Sequence, residues 1–388
     1  MVIDDFAGCE LEARRAAGLD RRIRWIDGAQ DTWVTVDGRR ALLLCSNNYL
    51  GLANHPAVRE AAAKAAVDYG AGAGASRLIS GSMRLHRELE EQLAAFKGTD
   101  AALLFNSGYH ANVGTITTLV GNGDAVFSDE LNHASIIDGC RLSGACIRIY
   151  QHNDVEHLDA LLAGTVARRR LVVTESVFSM DGDRAPLTAI CDLAERYNAM
   201  VMVDEAHATG VVGPEGRGVI AAEGLQHRVA VQMGTLGKAL GTFGAFVAGS
   251  RAVTDWLLNT ARSFVYTTAL PPPVVAAAAA ALRIARTDAE RRQRLHDNAE
   301  YLRSAFEQLG LRVGARGTHI LPVFISDSGH AVRISERLLS EGVFVQGIRP
   351  PTVPAGTARL RVTPMSTHKA EDLAFAVEAF SRVFAEEL

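Results

Sequence analysis

Lysine is scarce in this chain. Forty of its 388 residues are lysine or arginine, yet only Lys64, Lys97, Lys238 and Lys369 are lysines. Chemistry that needs a primary amine therefore has four candidates before any motif is considered. Long apolar runs are lacking too. Near the alanine-rich stretch the longest uninterrupted run is Val274 to Leu282, nine residues, where a bilayer needs about 20; no membrane partner is expected. There is no excess of basic charge. A net charge of −4 leaves no electrostatic footprint for nucleic acid. Cysteine is sparse and unpatterned. Cys9, Cys45, Cys140, Cys146 and Cys191 show no C-x-x-C spacing and read as reduced thiols of a cytoplasmic protein, with no disulfide frame and no metal site. The start, Met1-Val2-Ile3-Asp4-Asp5, is acidic where a secretory signal is basic, so no export signal is expected.

What is present is ordinary globular composition, 48% hydrophobic and 22% charged, which excludes disorder. The length implies two or three domains. Glu10 to Ala17 reads as a helix. Trp33–Val36 and Ala41–Leu44 read as strands joined by the turn dipeptide Asp37-Gly38. Pro56 opens a helix that Gly70 closes, and a second helix containing Leu85, Leu89, Leu93 and Phe96 ends at Gly98. Between them, Gly70 to Ser82 is loop by composition.

From residue 100 to 250 the rhythm is strand, loop, helix. Apolar runs occur at Ala101–Phe105, Ala125–Phe127, Ile147–Tyr150, Leu171–Thr174, Val201–Val203, Val229–Met233 and Ala245–Val247. That alternation predicts a largely parallel sheet covered on both faces, with ligands beyond the carboxyl ends of its strands. Pro271-Pro272-Pro273 breaks the chain. Helices Val274–Arg286 and Ala289–Leu309 follow. Then come strand Ile320–Ile325, helix Ala331–Gly342, strands Val343–Gln346 and Arg359–Val362, and helix Ala370–Glu386, a smaller α/β unit.

The residues that could carry chemistry lie just after the strand-like runs. Lys238 sits in Thr235-Leu236-Gly237-Lys238-Ala239-Leu240-Gly241, between glycines that let a bulky ligand approach the backbone. A desolvated lysine beside another cation can form a Schiff base. The other amines read as structural: Lys64 is mid-helix, Lys97 is a cation at a helix end that suits the dipole, and Lys369 starts the last helix. Val203-Asp204-Glu205-Ala206-His207 contains a D-E-A-H string, but the phosphate loop of a helicase is absent. The alternatives that stay open are an Asp at a pyridinium nitrogen or a helix cap with a neighbouring His. Asn106-Ser107-Gly108-Tyr109-His110-Ala111-Asn112 is a strand–helix turn of the kind that binds phosphate. His133 could stack on an aromatic cofactor. Glu175 and Ser179 read equally well as loop-stabilising groups.

The order of these motifs along successive strands resembles pyridoxal-phosphate enzymes of the aspartate-aminotransferase fold type, fold type I. More narrowly, the chain resembles the α-oxoamine synthase family through Ser46-Asn47-Asn48-Tyr49-Leu50-Gly51-Leu52, Ser107-Gly108-Tyr109, Leu131-Asn132-His133-Ala134-Ser135, Glu175 to Gly182, Val203 to His207 and Thr235 to Lys238. The resemblance covers nearly the whole chain. Ile348-Arg349-Pro350-Pro351-Thr352-Val353-Pro354, together with Leu11 to Ala17, is similar to the branch of that family that serves biotin synthesis.

The resemblance implies an α/β transferase with an N-terminal segment (1–45), a large domain that binds pyridoxal 5′-phosphate (46–270) and a C-terminal domain (271–388). It implies condensation of L-alanine with a pimeloyl thioester of coenzyme A or acyl carrier protein, with loss of CO₂. Lys238 would be the Schiff-base amine and general base, Asp204 the partner of the pyridine nitrogen and His133 the residue stacked on the ring. His207 and Ser179 would face the phenolic oxygen. Gly108, Tyr109 and Thr235 would hold the phosphate. Arg361 would grip the amino-acid carboxylate, while Arg21, Arg349 and Thr352 would contact the acyl substrate, and Asn47 would approach the substrate. Family members are homodimers with shared active sites, in which Thr267 and Thr268 would reach the partner's phosphate. Two rivals stay open: a sister enzyme joining glycine to an acetyl thioester, and a catalytically silent subunit.

Overall fold

The protein is described by a computed structural model covering residues 3–16, 18–314 and 316–385. The expected helix ends at Ala17 and Glu386 lie outside the described residues. The chain forms two compact units. The larger comprises residues 47–179 and 183–293, the smaller residues 1–46, 180–182 and 294–388. Pro271-Pro272-Pro273 does not part the units, because Pro272 and Pro273 begin the helix Pro272–Thr287, where a missing N–H costs nothing. That helix packs on Pro56–Tyr69 within the larger unit.

The larger unit is built on a seven-stranded sheet. In spatial order its strands are Ala101–Phe105, Ala245–Gly249, Val231–Thr235, Met200–Asp204, Arg170–Glu175, Ala125–Asp129 and Cys146–Tyr150. Ala245–Gly249 runs antiparallel to both neighbours; every other pairing is parallel. All five residues of Ala125–Asp129 and of Val231–Thr235 are buried, as a sheet covered on both faces requires. Phe105, Val126, Val173, Met202, Met233 and Val247 pack with Ile116, Ile136, Leu257 and Phe264 from helices. The strand expected at Val229–Met233 runs instead from Val231 to Thr235, so Thr235 ends it and Lys238 follows three residues on. The register pairs Glu175 with Asp204 and Asp204 with Met233. Glu175 and Asp204 therefore share the carboxyl edge of the sheet.

The smaller unit joins the two ends of the chain. Trp33–Val36 and Arg39–Leu43 form the expected hairpin. Its turn residues have φ of 48° at Asp37 and 77° at Gly38, the left-handed pair that a two-residue hairpin needs. Arg39–Leu43 pairs in parallel with Val343–Phe344. A separate three-stranded antiparallel sheet holds Leu321–Ser326, Ala358–Val362 and Gln346–Ile348. Leu42, Leu302, Phe306, Val323, Leu338, Val362 and Phe380 form one core. Among the described residues no helix is long and apolar enough to cross a membrane. The five cysteines are free thiols.

Candidate active site

Lys238 lies in the loop after Val231–Thr235, half-buried, with its Nζ 2.9 Å from His207 Nε2. His207 belongs to the turn that follows Met200–Asp204 and is 4% exposed. Its Nδ1 stands 2.7 Å from the hydroxyl of Tyr49, which donates to Asn47 Oδ1 at 3.0 Å. A hydroxyl has one hydrogen. With that hydrogen committed to Asn47, Nδ1–H is the donor to Tyr49, and Nε2 turns a lone pair toward the lysine amine. Asn47 was a candidate on the sequence; the fully buried Tyr49 was not. Its place in the quoted Ser46–Leu52 motif was the available signal.

Asp204 ends its strand, and each carboxylate oxygen is held. Oδ1 accepts from Ala206 N–H and Oδ2 from Asn112 Nδ2, both at 2.8 Å. His133 caps the helix Ala134–Ser143, its Nδ1 accepting from Ser135 N–H at 3.2 Å. Burial lowers His133 below the usual imidazole range; Asp204 opposes this and Lys238 adds to it. Glu175 ends the neighbouring strand, fully inside the protein. It accepts from His133 N–H at 2.7 Å and from the backbone N–H of Ser179. Burial first, and then the negative charge of Asp204, push Glu175 up to about 8. Glu175 thus pins the backbone of His133 and Ser179, as a loop-stabilising group does.

The helix Gly108–Leu119 begins with Ser107 as its cap, the side chain accepting from His110 N–H. Gly108 and Tyr109 supply orphan first-turn N–H donors. A Cβ on Gly108 would lie 3.0 Å from Thr235 Cγ2, so the absence of a side chain lets this turn close on the strand that leads to Lys238. Thr235 Oγ1 is 3.5 Å from the carbonyl of Ala206. Tyr109 turns its ring outward to Asp138, so the turn offers its backbone rather than its phenol. Asn106 holds Thr267 Oγ1 at 2.9 Å and the Thr268 carbonyl at 2.8 Å, tying both threonines to the same turn.

Lys97 ends the helix Arg84–Lys97, as expected, and is in addition fully buried. It forms an ion pair with Glu205 and donates to the carbonyl of Arg217 at 2.7 Å. Glu205 Oε1 accepts from Ile220 N–H at 3.0 Å. Gly218 lies against this carboxylate with φ of 110°, and a Cβ there would overlap it. Every residue of the turn Asp204-Glu205-Ala206-His207 is buried, and it is anchored from below by this pair.

In the smaller unit, Arg21, Arg349 and Thr352 line one cavity of ≈ 480 Å³ together with Arg22, Arg24 and Glu336. Arg24 is committed to Asp37 and Glu336, and Arg349 to the carbonyl of Asp20. Arg361 is not among the residues lining this cavity. It sits 6% exposed in Ala358–Val362, opposite Pro322 and Gln346. Among the described residues no group of three or more His, Cys, Asp or Glu side chains could hold a metal ion.

The family model "Aminotransferase class I and II" matches residues 39–380. Curated relatives named 8-amino-7-oxononanoate synthase include that of Geobacter metallireducens, 52% identical over 377 residues and 96% of each chain. That of Geotalea daltonii is 50% identical over 380 residues and 97% of each chain. Among solved structures, serine palmitoyltransferase from S. paucimobilis, with bound PLP–myriocin aldimine, is similar with a TM-score of 0.94. It is 34% identical, covering 100% of this chain and 99% of that one. The 8-amino-7-oxononanoate synthase of Francisella tularensis is similar with a TM-score of 0.77 and 28% identity, over 89% of this chain and 98% of that one. A mostly parallel sheet with Lys238, His207, Asp204 and His133 at its carboxyl edge, and full-length identity of this extent, have one meaning: the chain belongs to the class I and II aminotransferase family and, within it, to the α-oxoamine synthases.

Proposed function

We propose that this enzyme joins L-alanine to a pimeloyl thioester, releasing CO₂ and the free thiol and forming 8-amino-7-oxononanoate for biotin synthesis, with pyridoxal 5′-phosphate as cofactor. The observation that carries this reading is the half-identity, across almost the full chain, to relatives named for that reaction. The residues fit the cofactor. An amine, a carboxylate held on both oxygens, an imidazole and a turn with orphan N–H donors converge in the larger unit.

When bound, the cofactor supplies a carbonyl carbon for an amine and an electron-poor ring that accepts the electron pair freed at the amino-acid Cα. Lys238 Nζ is the amine that would hold it, and the same amine would take the Cα proton of alanine. His207 Nε2, 2.9 Å away, accepts a hydrogen bond from that amine and keeps it aimed. Asp204 would hold the ring nitrogen and keep it protonated. His133 would pack on the ring. Ser179 and His207 would hold the phenolic oxygen. Gly108 and Tyr109 N–H and the Thr235 hydroxyl would hold the phosphate. The alanine Cα then bonds to the acyl carbon as the C–S bond breaks. The β-keto acid so formed loses CO₂ readily, because the electrons left behind enter the ketone. Arg361 grips the alanine carboxylate in a two-bond fork. Arg21, Arg349 and Thr352 contact the acyl chain, and Asn47 approaches the substrate. The enzyme works in the cytoplasm as a homodimer, in which Thr267 and Thr268 reach the partner's phosphate.

The test is thiol release from pimeloyl-coenzyme A, pimeloyl-acyl carrier protein and acetyl-coenzyme A, each offered with alanine and with glycine. Turnover with alanine and at least one pimeloyl donor is expected. Turnover only with glycine and an acetyl donor would reject the reading.

A further inference from the structure

Asn112 lies in the middle of the helix Gly108–Leu119, 1% exposed, and the reaction as described gives it no role. Both hydrogens of its amide are used. One goes to Asp204 Oδ2 at 2.8 Å, the other to Ser135 Oγ at 2.9 Å. The amide orientation is forced, because turning it over would aim its carbonyl oxygen at a carboxylate with no hydrogen between them. Its Oδ1 has no partner among the described residues. A buried acceptor left without a donor costs stability, so stability alone does not account for asparagine here.

The directions of the remaining hydrogen bonds follow. Ser135 Oγ accepts from Asn112, which leaves its own hydrogen for His133 Nδ1, 2.8 Å away. Ser135 N–H also points at Nδ1, at 3.2 Å. A ring nitrogen that receives two donors carries no proton, so the imidazole hydrogen sits on Nε2. The lowering of His133 by burial agrees with a neutral ring. On the other side, Ala206 N–H anchors only Oδ1 of Asp204. A carboxylate tied at one oxygen still turns about its Cβ–Cγ bond, and Asn112 supplies the second tie.

We propose that Asn112 is a positioning residue that sets two groups at once: it fixes the plane of the Asp204 carboxylate toward the cofactor's ring nitrogen and, through Ser135, holds His133 as the Nε2–H tautomer. This rests on the cofactor reading above. It makes one amide the link between the group at the edge of the ring and the group on its face. Motion of either is then felt by the other through three hydrogen bonds.

The experiment uses holoenzyme carrying Asn112→Asp, Asn112→Ala or Ser135→Ala. The readouts are the visible absorption of the bound cofactor, its dissociation constant, and kcat and KM for alanine. Asn112→Asp keeps the volume but faces Asp204 with a second carboxylate, and two carboxylates at that distance share one proton. In both Asn112 variants the absorption band moves and kcat falls by about 10- to 100-fold, while KM for alanine stays near wild type. Ser135→Ala leaves the band in place, because Asp204 is still tied, and lowers kcat less. A wild-type band and wild-type kcat in Asn112→Asp overturn the proposal, whatever the melting temperature does. So does a band shift in Ser135→Ala as large as that in Asn112→Ala, which would mark a general packing defect. If Asn112→Ala does not fold, the isosteric Asn112→Asp decides alone. A wild-type protein that binds cofactor but ignores alanine would sink the proposed reaction, and the absorption readout would still judge Asn112.

Discussion

Two lysines meet the turn that follows Met200–Asp204, and they meet it differently. Lys97 is fully buried and gives its hydrogens to a carboxylate and a carbonyl. Lys238, three residues past the end of the next strand, is half-buried and faces an imidazole. Their acceptors, Glu205 and His207, are two residues apart. Burial alone would select Lys97 as the unusual amine. The partner reverses that choice. An amine buried against a carboxylate and a carbonyl is held by two acceptors and has no room to reach a ligand. An amine beside a ring nitrogen has a group to exchange a proton with and can become a nucleophile. The same turn thus alternates between Glu205, paired with the buried lysine, and Asp204 and His207, the two residues proposed to meet the cofactor.

Substitutions can break this contrast. The largest effect belongs to Lys238→Ala. Turnover falls by roughly 10,000-fold or more and the cofactor's visible absorption disappears, while the urea midpoint stays near wild type. A variant that kept its turnover would remove Lys238 from the chemistry. Lys97→Met should do the reverse. It strands the Glu205 charge inside the protein and costs about 3–5 kcal/mol in urea unfolding, with the absorption band of the folded fraction unchanged. Adding Glu205→Gln removes both charges and should recover most of the loss; a double variant no more stable than the single would show that the pair itself is not the cause. Asp204→Asn, one residue from Glu205, should bind cofactor and keep its stability but lose about 100-fold in kcat, because the ring nitrogen is no longer kept protonated. Wild-type-like turnover there would reject the role.

The smallest effect asks whether a charged partner also locks a histidine. His152 lies between Asp129 at 2.9 Å and Asp183 at 2.8 Å, edge-on to Phe178. Burial works against its charge, but hydrogen bonds to the two carboxylates outweigh that and raise it to about 10. A histidine raised on folding stabilises fully below its ordinary value of about 6.5 and loses that contribution as pH climbs through its folded value. The melting temperature should therefore decline between pH 6.5 and 10 by more in wild type than in His152→Gln. Parallel curves for the two proteins would show that the ring carries no charge in the native state.

The strands were legible because buried parallel strands are short apolar runs bounded by turns, and most of them fall within a residue or two of the expected limits. Val231–Thr235 was misplaced by two because Gly234 and Thr235 carry no apolar signal although they continue the ladder to Ala245. The amine, the carboxylate and the two histidines were legible as residue types at strand ends. Their supports were not. Tyr49 is 158 positions from His207 and Asn112 is 92 from Asp204, and no local pattern announces a hydrogen bond across such distances. Lys97 was legible as a structural lysine at a helix end, but its carboxylate, 108 positions away, was not.

The parallel pairing of Arg39–Leu43 with Val343–Phe344 has a consequence for birth rather than for catalysis. Leu42 needs Val343 as its neighbour, so the first hairpin leaves the ribosome long before its outer edge can be covered. At about 5–20 residues per second, that edge waits roughly 15–60 seconds, and an uncovered edge is a template for mispairing. The larger unit, whose last segment ends at residue 293, can finish its sheet during that wait. Nascent chains halted before residue 343 should therefore be cut first by protease near the amino terminus, and should lose that sensitivity once Val343–Phe344 emerges.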